Sequence, residues 1–460
     1  MTNLALASIK ATGSTTTRSL GTRAAEVINV KDYGATGDGS TNDTTAIQAA
    51  IDAAFGTTGS PHGGNSPGIY TNKSLFFPNG HYIITSALTL TSVAGAHIYG
   101  GGRLSTLIEN TTTNGSVFLT NGFMYSKVEN ISLLTPAGTG SCFEMYWDGT
   151  GSASSQSVTF ADMTFGGLGS YGLKIPSTSN MGSEILSSNC YYNNFSAAGI
   201  YVGEANALQI TVVGGNISQC AKGIYCQNGS MSTILGVSFQ LNTTMDIHIQ
   251  GGIQDGWIIA GCRSESTNFL ESQPDSFVSV IGCTQTSSAD GYFLNNCGSK
   301  MTVISCHSVN GKVHGSSSLN VIGSKFDRSD WNAWFGSIGG ELSVAPYVTR
   351  TANLALTSAM SGTIFDNIGA SAEVDFTLPT DSNAGRLPPG TWYGFYVAAA
   401  QILKIKTGTG ANIRIAASTS TTTTGDIHAS TIGNYVELMC TADGGSTWVA
   451  RSTIGTWTIV

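Results

Sequence analysis

From residue 128 onward one turn-prone position keeps returning: Asn130, Asp162, Asn189, Gly214, Gly236, Gly261, Gly282, Ser305 and Gly323, at intervals of 32, 27, 25, 22, 25, 21, 23 and 18 residues. Eight of the nine are Gly, Asn or Asp, the types that tolerate left-handed backbone. The residues that follow are Ile131, Met163, Cys190, Gly215, Val237, Cys262, Cys283, Cys306 and Ser324, mostly small or apolar, as a stacked interior column requires. A unit of this length cannot bury its apolar side alone, so such a period implies coils stacked into a solenoid. A second strand is expected in each coil, with Phe143, Leu173, Ile200, Ile224, Ile247, Phe269 and Tyr292 inward. Alternation then turns Glu144, Lys174, Tyr201, Tyr225, His248, Leu270 and Phe293 outward. The fold class read from this pattern is all-β, a parallel β-helix whose coils lie about 4.8 Å apart.

Charge is scarce: 20 basic and 28 acidic residues in 460, for a net charge of −8. That composition excludes a charge-driven disordered chain and a helical bundle with a charged solvent face. It leaves no basic face for nucleic acid. No apolar run is long enough to span a membrane, so no membrane insertion is expected. The opening MTNLALASIK lacks the basic and apolar regions of a secretory signal. Nine Cys with no C-x-x-C pair and no zinc spacing read as buried reduced thiols, four of them small hydrophobes in the interior column. No cofactor is implied. No D-x-D-type acidic cluster is present, so no essential metal is expected either.

Residues 26–55 contain a short strand at 27–30, glycines at 34, 37 and 39, capping oxygens at Asn42 and Asp43, and an apolar helical stripe of Ile47, Ala50, Ile51 and Ala54. This segment, EVINVKDYGATGDGSTNDTTAIQAAIDAA, resembles the start of the pectate-lyase-like right-handed β-helix domain. Its upstream flank, TRSLGTRAAEVINVKDYGATGDG, is similar to bacteriophage tailspike proteins. The stretches SLFFPNGHYIITSALTL at 74–90 and AHIYGGGRLSTLI at 96–108 carry the same resemblance. It implies that the helix caps one end of the solenoid and that nothing in the motif is catalytic. The glycines are not a phosphate loop, since no GK[ST] follows.

Tyr201, Tyr225 and His248 form an outward ladder whose rings suit sugar faces, and cover by a loop or a neighbouring subunit is the competing explanation. Glycoside hydrolysis needs two carboxyls about 5–5.5 Å or 6.5–9.5 Å apart, which on a solenoid means neighbouring coils. Glu144, Glu204 and Asp246 lie near the ladder, although Asp246 stands where other coils have Gly199 and Gly223 and a turn role competes. Arg263 and Glu265 point the same way on another strand, with His307 two coils on; Lys325 and Asp327 repeat the pattern, which also suits a surface ion pair. The catalytic candidates are therefore Glu204, Asp246 and Glu265. Substrate-binding candidates are Glu144, Lys174, Tyr201, Tyr225, His248 and Arg263. β-Elimination, served by His248, Tyr225, Lys174 and Arg263, stays open. A serine esterase is disfavoured, since no G-x-S-x-G elbow is present.

The domain organisation expected is an N-terminal arm or short anchor at 1–25, a capping helix and first coils at 26–108, and the β-helix body at 109–330. An end cap or linker at 331–349 follows, with Trp331, Trp334 and Phe335 plugging the solenoid. A C-terminal antiparallel β-sandwich-like domain at 350–460 resembles phage tail modules that support trimerisation or carbohydrate binding. Taken together, the resemblance implies a homotrimeric tailspike in the virion tail, docked on other tail or baseplate proteins. It would bind and depolymerise a bacterial surface polysaccharide, O-antigen or capsule, by endo-glycosidic hydrolysis. The alternatives are a polysaccharide lyase, a non-catalytic receptor-binding spike, and a secreted lyase or epimerase of bacterial origin.

Overall fold

A computed structural model describes residues 8–56, 73–151, 153–250, 256–273, 276–287, 291–296, 300–314, 319–322, 324–326, 347–380, 387, 389–441 and 445–460. The expected end cap at Trp331, Trp334 and Phe335, together with Gly323 and Asp327, lies outside those residues. The chain divides into two compact units, residues 1–314 with 324–330 and residues 315–323 with 331–460.

The first unit is a right-handed parallel β-helix. Each coil has three strands, as in Gln156–Ala161, Thr164–Gly167 and Tyr171–Ile175. The first strand pairs in parallel with Ser183–Ser188 of the next coil, the second with Tyr191–Asn193 and the third with Ala198–Val202. From Asn130 onward the corner from first to second strand takes two residues: strands end at Ala161, Ser188, Val213, Leu235, Ala260, Ile281 and Ile304 and restart at Thr164, Tyr191, Asn216, Ser238, Arg263, Thr284 and His307, whereas the earlier corner from Gly100 to Thr106 is longer.

The corner residues do what their types suggested. Asn130, Asp162, Asn189, Gly214, Gly236, Gly261, Gly282 and Ser305 all have φ between 50° and 62°. This left-handed turn aims each corner N–H along the solenoid axis, at the next coil. Asp162 N donates to Ser188 O at 3.0 Å, Asn189 N to Val213 O at 2.8 Å and Gly214 N to Leu235 O at 2.8 Å. Two further left-handed columns had no obvious sequence mark. Ser157, Glu184, Gln209 and Met231 form one, and Asn194, Gln219 and Leu241 the other, with φ between 54° and 69°.

Inside, the positions after each corner are buried, from Ile131 and Met163 to Cys190, Val237, Cys262, Cys283 and Cys306. All eight described cysteines are buried. The second strands contribute a column of Phe165, Tyr192, Ile217 and Phe239, with Phe165 and Tyr192 stacked at 4.6 Å. Facing it, the third strands place Gly172, Gly199 and Gly223, where a Cβ would press on those same rings. One coil further the ring is replaced by Ser264 and the glycine by Asp246.

The helix Thr44–Phe55 buries Ile47, Ala50, Ile51 and Ala54 as its stripe required, and Phe55 as well. Asp43 precedes it without capping it; its carboxylate instead accepts from Thr36 N at 2.7 Å and Gly37 N at 3.0 Å, tying down the glycine-rich loop. Asn42 takes the first-turn amide, accepting from Thr44 N at 3.1 Å.

One part of the outward column needs correcting. Phe269 and Leu270 are both fully buried, as are the pairs in register with them, Gly223–Ile224 and Asp246–Ile247, so the expected inward and outward residues are one position early there. Leu270 pairs with Ile247 and Leu294, which moves Glu271 and then Asn295 to the outward position beyond His248. Phe293 is likewise interior, stacked on Phe269 at 5.2 Å, while Tyr292 is 38% exposed.

The second unit is a two-sheet sandwich around a core that includes Phe365, Phe376, Phe395, Leu438 and Trp448. Its pairing is mixed rather than purely antiparallel. Early strands alternate between the two sheets and pair in parallel, Thr363–Asp366 with Trp392–Tyr396 and Val374–Thr377 with Leu403–Lys406. Antiparallel partners complete each sheet, Tyr435–Cys440 in one and Asp426–Ala429 in the other.

Candidate functional site

The third strands repeat a four-residue phrase: Tyr-Gly-Leu-Lys at 171–174, Ala-Gly-Ile-Tyr at 198–201, Lys-Gly-Ile-Tyr at 222–225 and Met-Asp-Ile-His at 245–248. In each, the two middle residues are buried, and among the outer ones Tyr171, Lys174, Lys222, Tyr225 and His248 are partly exposed. Register therefore stacks Glu144, Lys174, Tyr201, Tyr225, His248 and Glu271 in one column. Beside it runs a column of Tyr171, Ala198, Lys222 and Met245.

The rings form a continuous row, tilted between Tyr171, Tyr201 and Tyr225 and stacked between Tyr225 and His248. Centroids lie 4.8 Å apart for Tyr171 and Tyr201, 5.5 Å for Tyr201 and Tyr225, and 5.1 Å for Tyr225 and His248. Stacking hides much of their surface, and Tyr201 is only 8% exposed. Two glutamines of the following coils fix the hydroxyls: Tyr201 Oη donates to Gln227 Oε1 at 2.5 Å and Tyr225 Oη to Gln250 Oε1. Burial raises the pKa of both tyrosines, with neighbouring tyrosines adding to it.

Cations and carboxylates frame the stack. Lys174 Nζ is 3.1 Å from Glu144 Oε2 and 5.7 Å from the Tyr171 centroid. Lys222 Nζ sits 3.6 Å above the Tyr225 ring, and burial holds its pKa below the usual lysine range. His248 Nε2 is 3.2 Å from Glu271 Oε1 but outside hydrogen-bond geometry. Burial, reinforced by Lys222, lowers the His248 pKa against the opposing pull of Glu271. A neutral imidazole, an ammonium, a phenol and a carboxylate thus share one surface.

The expected site residues divide. Glu144, Lys174, Tyr201, Tyr225 and His248 are brought together. Asp246 is not a surface acid: it is fully buried, accepting from Asn242 Nδ2 at 2.8 Å and Ser264 Oγ at 2.5 Å inside the coil. Glu204 lies past the end of the Tyr201 strand, with Oε1 accepting from Asn206 N at 3.1 Å. Arg263 and Glu265 pair with each other on the second-strand face, in a different sheet from the ladder. His307 does stand two coils beyond Arg263 in register, also on that face. Lys222, Glu271, Gln227 and Gln250 had been overlooked. The Lys-Gly-Ile-Tyr phrase was the available signal for Lys222, since Tyr-Gly-Leu-Lys two coils earlier repeats its spacing. Among the described residues, no three His, Cys, Asp or Glu side chains converge as metal ligands, and no helix is long and apolar enough to cross a membrane.

A capped parallel β-helix with a polar aromatic column on one outer face is the class of domain this geometry defines. Residues 27–244 match the family model described as rhamnogalacturonase A/epimerase, pectate lyase-like. Among curated proteins it is similar to mannuronan C5-epimerase AlgE2 of Azotobacter vinelandii, 38% identical over 86 residues that cover 18% of this chain and 7% of the epimerase. Alginate lyase 7 of the same organism is 37% identical over 86 residues, 18% of this chain and 8% of the lyase. The chain thus spans only a small fraction of these relatives. Among solved structures, the Dettilon tailspike protein aligns over 95% of this chain and 81% of its own at 14% identity and a TM-score of 0.45. The catalytic unit of an α-1,3-glucanase from Streptomyces thermodiastaticus aligns over 82% and 68% at 13% identity and a TM-score of 0.40.

Proposed function

We propose that the chain is a polysaccharide-binding and polysaccharide-cleaving spike of a bacteriophage tail, acting on a bacterial surface polysaccharide by β-elimination. The observation that carries the reaction is the grouping of Lys222, Tyr225, His248 and Glu271 on one face. In this mechanism neutral His248 takes the proton from the carbon next to a uronate carboxylate. The Lys222 ammonium faces the charge that develops on that carboxylate. The glycosidic C–O bond breaks, a C=C bond forms, and the departing oxygen takes a proton from the Tyr225 hydroxyl.

Hydrolysis, the expectation from sequence, draws less support from the positions of its acids. Asp246 is sealed in the core, Glu265 is on another face, and Glu144 and Glu271 are separated by four intervening positions of one column, roughly 24 Å at the strand spacing. Glu204 is the candidate acid that keeps a place at the edge of the ladder face. The pectate-lyase-like match and the resemblance to tailspikes support a polysaccharide ligand and a virion-tail setting, in which the chain would work as a homotrimer with other tail proteins.

Incubation with purified O-antigen or capsule, followed for chain length and for the ultraviolet absorbance of an unsaturated uronate, separates the readings. Shortening with new absorbance is expected. Shortening without it would return the reaction to hydrolysis, and binding without shortening would leave an adhesive spike. His248→Gln should lower the rate by about 10²- to 10⁴-fold, the usual contribution of a general base.

A further inference from the structure

We infer that one end of the C-terminal sandwich is a lipid-docking tip, on which Ile368, Ile402, Ile432 and Ile454 enter the acyl region of a bilayer. Register places Thr349, Asp366, Tyr396, Tyr435 and Ile454 in one row across the larger sheet, and Val374, Leu403 and Ala429 in one row across the other. The connections 367–373, 397–402 and 430–434 all cross between the sheets at that end. Each carries one exposed isoleucine, Ile368 at 54%, Ile402 at 37% and Ile432 at 57%, and Ile454 at the adjoining strand end is 59% exposed. No apolar run marks this surface, because the four are 34, 30 and 22 residues apart in the chain.

Hydrogen bonds hold the connections together, so the isoleucines are presented rather than folded away. Asn367, fully buried, accepts from Ala398 N at 2.8 Å and Ala399 N at 2.9 Å and donates to Gln401 O at 3.1 Å. Gly433 N donates to Val397 O at 2.9 Å, and Asn434 Nδ2 to Thr456 O at 2.8 Å. The chemistry around them favours lipid over protein. Residues 367–372, 397–402 and 430–434 include no charged, aromatic, Met or Arg side chain, whereas protein interfaces are enriched in aromatics, Met and Arg. The isoleucines expose roughly 400 Å², about half of what one partner gives to a stable protein interface. Aliphatic side chains without charge are what the acyl region accepts, and a tip of this size lies in one leaflet without spanning it. The other end of the sandwich presents the exposed hydroxyls of residues 421–424 instead.

The test is flotation of the full chain on a density gradient with vesicles of phosphatidylcholine alone and of phosphatidylethanolamine mixed with phosphatidylglycerol. Co-flotation with both is expected, and it should survive high salt, because the tip has no charge to screen. Ile368→Ser, Ile432→Ser and Ile454→Ser should each weaken partitioning about tenfold, and the triple substitution should abolish it. These side chains are more than half exposed, so the Tm should stay in place. Val460→Ser, at the other end, should float as the unaltered chain does. No flotation of the unaltered chain, or flotation that the triple substitution leaves intact, overturns the tip. Flotation with the anionic vesicles alone, reversed by salt, overturns it as well. A lower molar mass of the triple variant by light scattering without lipid would make the end a contact between copies and overturn it too.

Discussion

Ser264 donates its hydroxyl hydrogen to Asp246 Oδ2 across 2.5 Å in the solenoid interior, one coil after Gly223 and Phe239 occupy the equivalent pair of positions. The two columns trade volume: the rings of Tyr192 and Phe239 lie against Gly172 and Gly223, and a serine at 264 leaves room for a carboxyl. Burial raises the Asp246 pKa from an ordinary 3.8 to about 7, against the lowering effect of Ser264, Ser266 and Asn242.

That shift has a definite sign. Between pH 4 and 7 the unfolded chain releases this proton while the folded chain keeps it, so native stability falls as pH rises through that window and stays reduced above it. Asp246→Asn should be close to neutral at pH 4 and stabilising at pH 8, by up to about 4 kcal/mol at 1.36 kcal/mol per pKa unit. Calorimetric Tm values at the two pH values decide it; an equal change at both would place the effect outside ionisation.

The reaction at the ladder should show an acid limb set by His248. Its pKa is held below the ordinary histidine value by burial and by Lys222, so the neutral base persists into mildly acid solution and activity falls only as the imidazole becomes protonated. In Lys222→Met one of the two lowering influences disappears, and the limb in kcat/KM should move to higher pH. An unmoved limb would remove His248 from the role of base.

Adjacent glycines at one corner should respond differently. Gly214 has φ 62° with open space where a Cβ would go, so Gly214→Ala carries only the left-handed backbone cost, about 1 kcal/mol. Gly215 has φ 78°, and its Cβ would run into the carbonyl of Cys190. Gly215→Ala should cost several-fold more than Gly214→Ala in urea unfolding, and Gly214→Asn should be nearly silent. Equal costs at the two positions would contradict the corner geometry.

The thiols should behave as core atoms. Iodoacetamide is expected to leave the eight described cysteines unmodified in the native chain and to modify them all after denaturation. Peptide mass mapping that finds Cys262, Cys283 or Cys306 alkylated under native conditions would mean that the coils there open.

The corner column was readable because a single left-handed residue restricts side-chain type strongly, and the restriction recurs in every coil. The other two left-handed columns use Glu184, Met231 or Leu241, residues with no preference for that backbone, so only the fold reveals them. The ladder was legible from Glu144 to His248; beyond it Phe269 fills the first of the two inward places that Gly199, Gly223 and Asp246 hold in earlier coils, and its apolar ring draws the reading one residue out of register. Asp246 could not be placed from its own neighbourhood, because its orientation depends on Ser264, 18 residues away on another strand. Arg263 and Glu265 were read correctly as a pair, yet their face follows from sheet membership rather than from local pattern.

From Asn130 on the corner keeps two residues, while the connection from third strand back to first takes residues 145–155, 176–182, 203–210 and 227–232 in successive coils. Variation in length is thus greatest at one edge of the prism, alongside the ladder and outside the stack that holds the coils together. Segments at that edge can be replaced one at a time while the corners and the stacked strands keep their form.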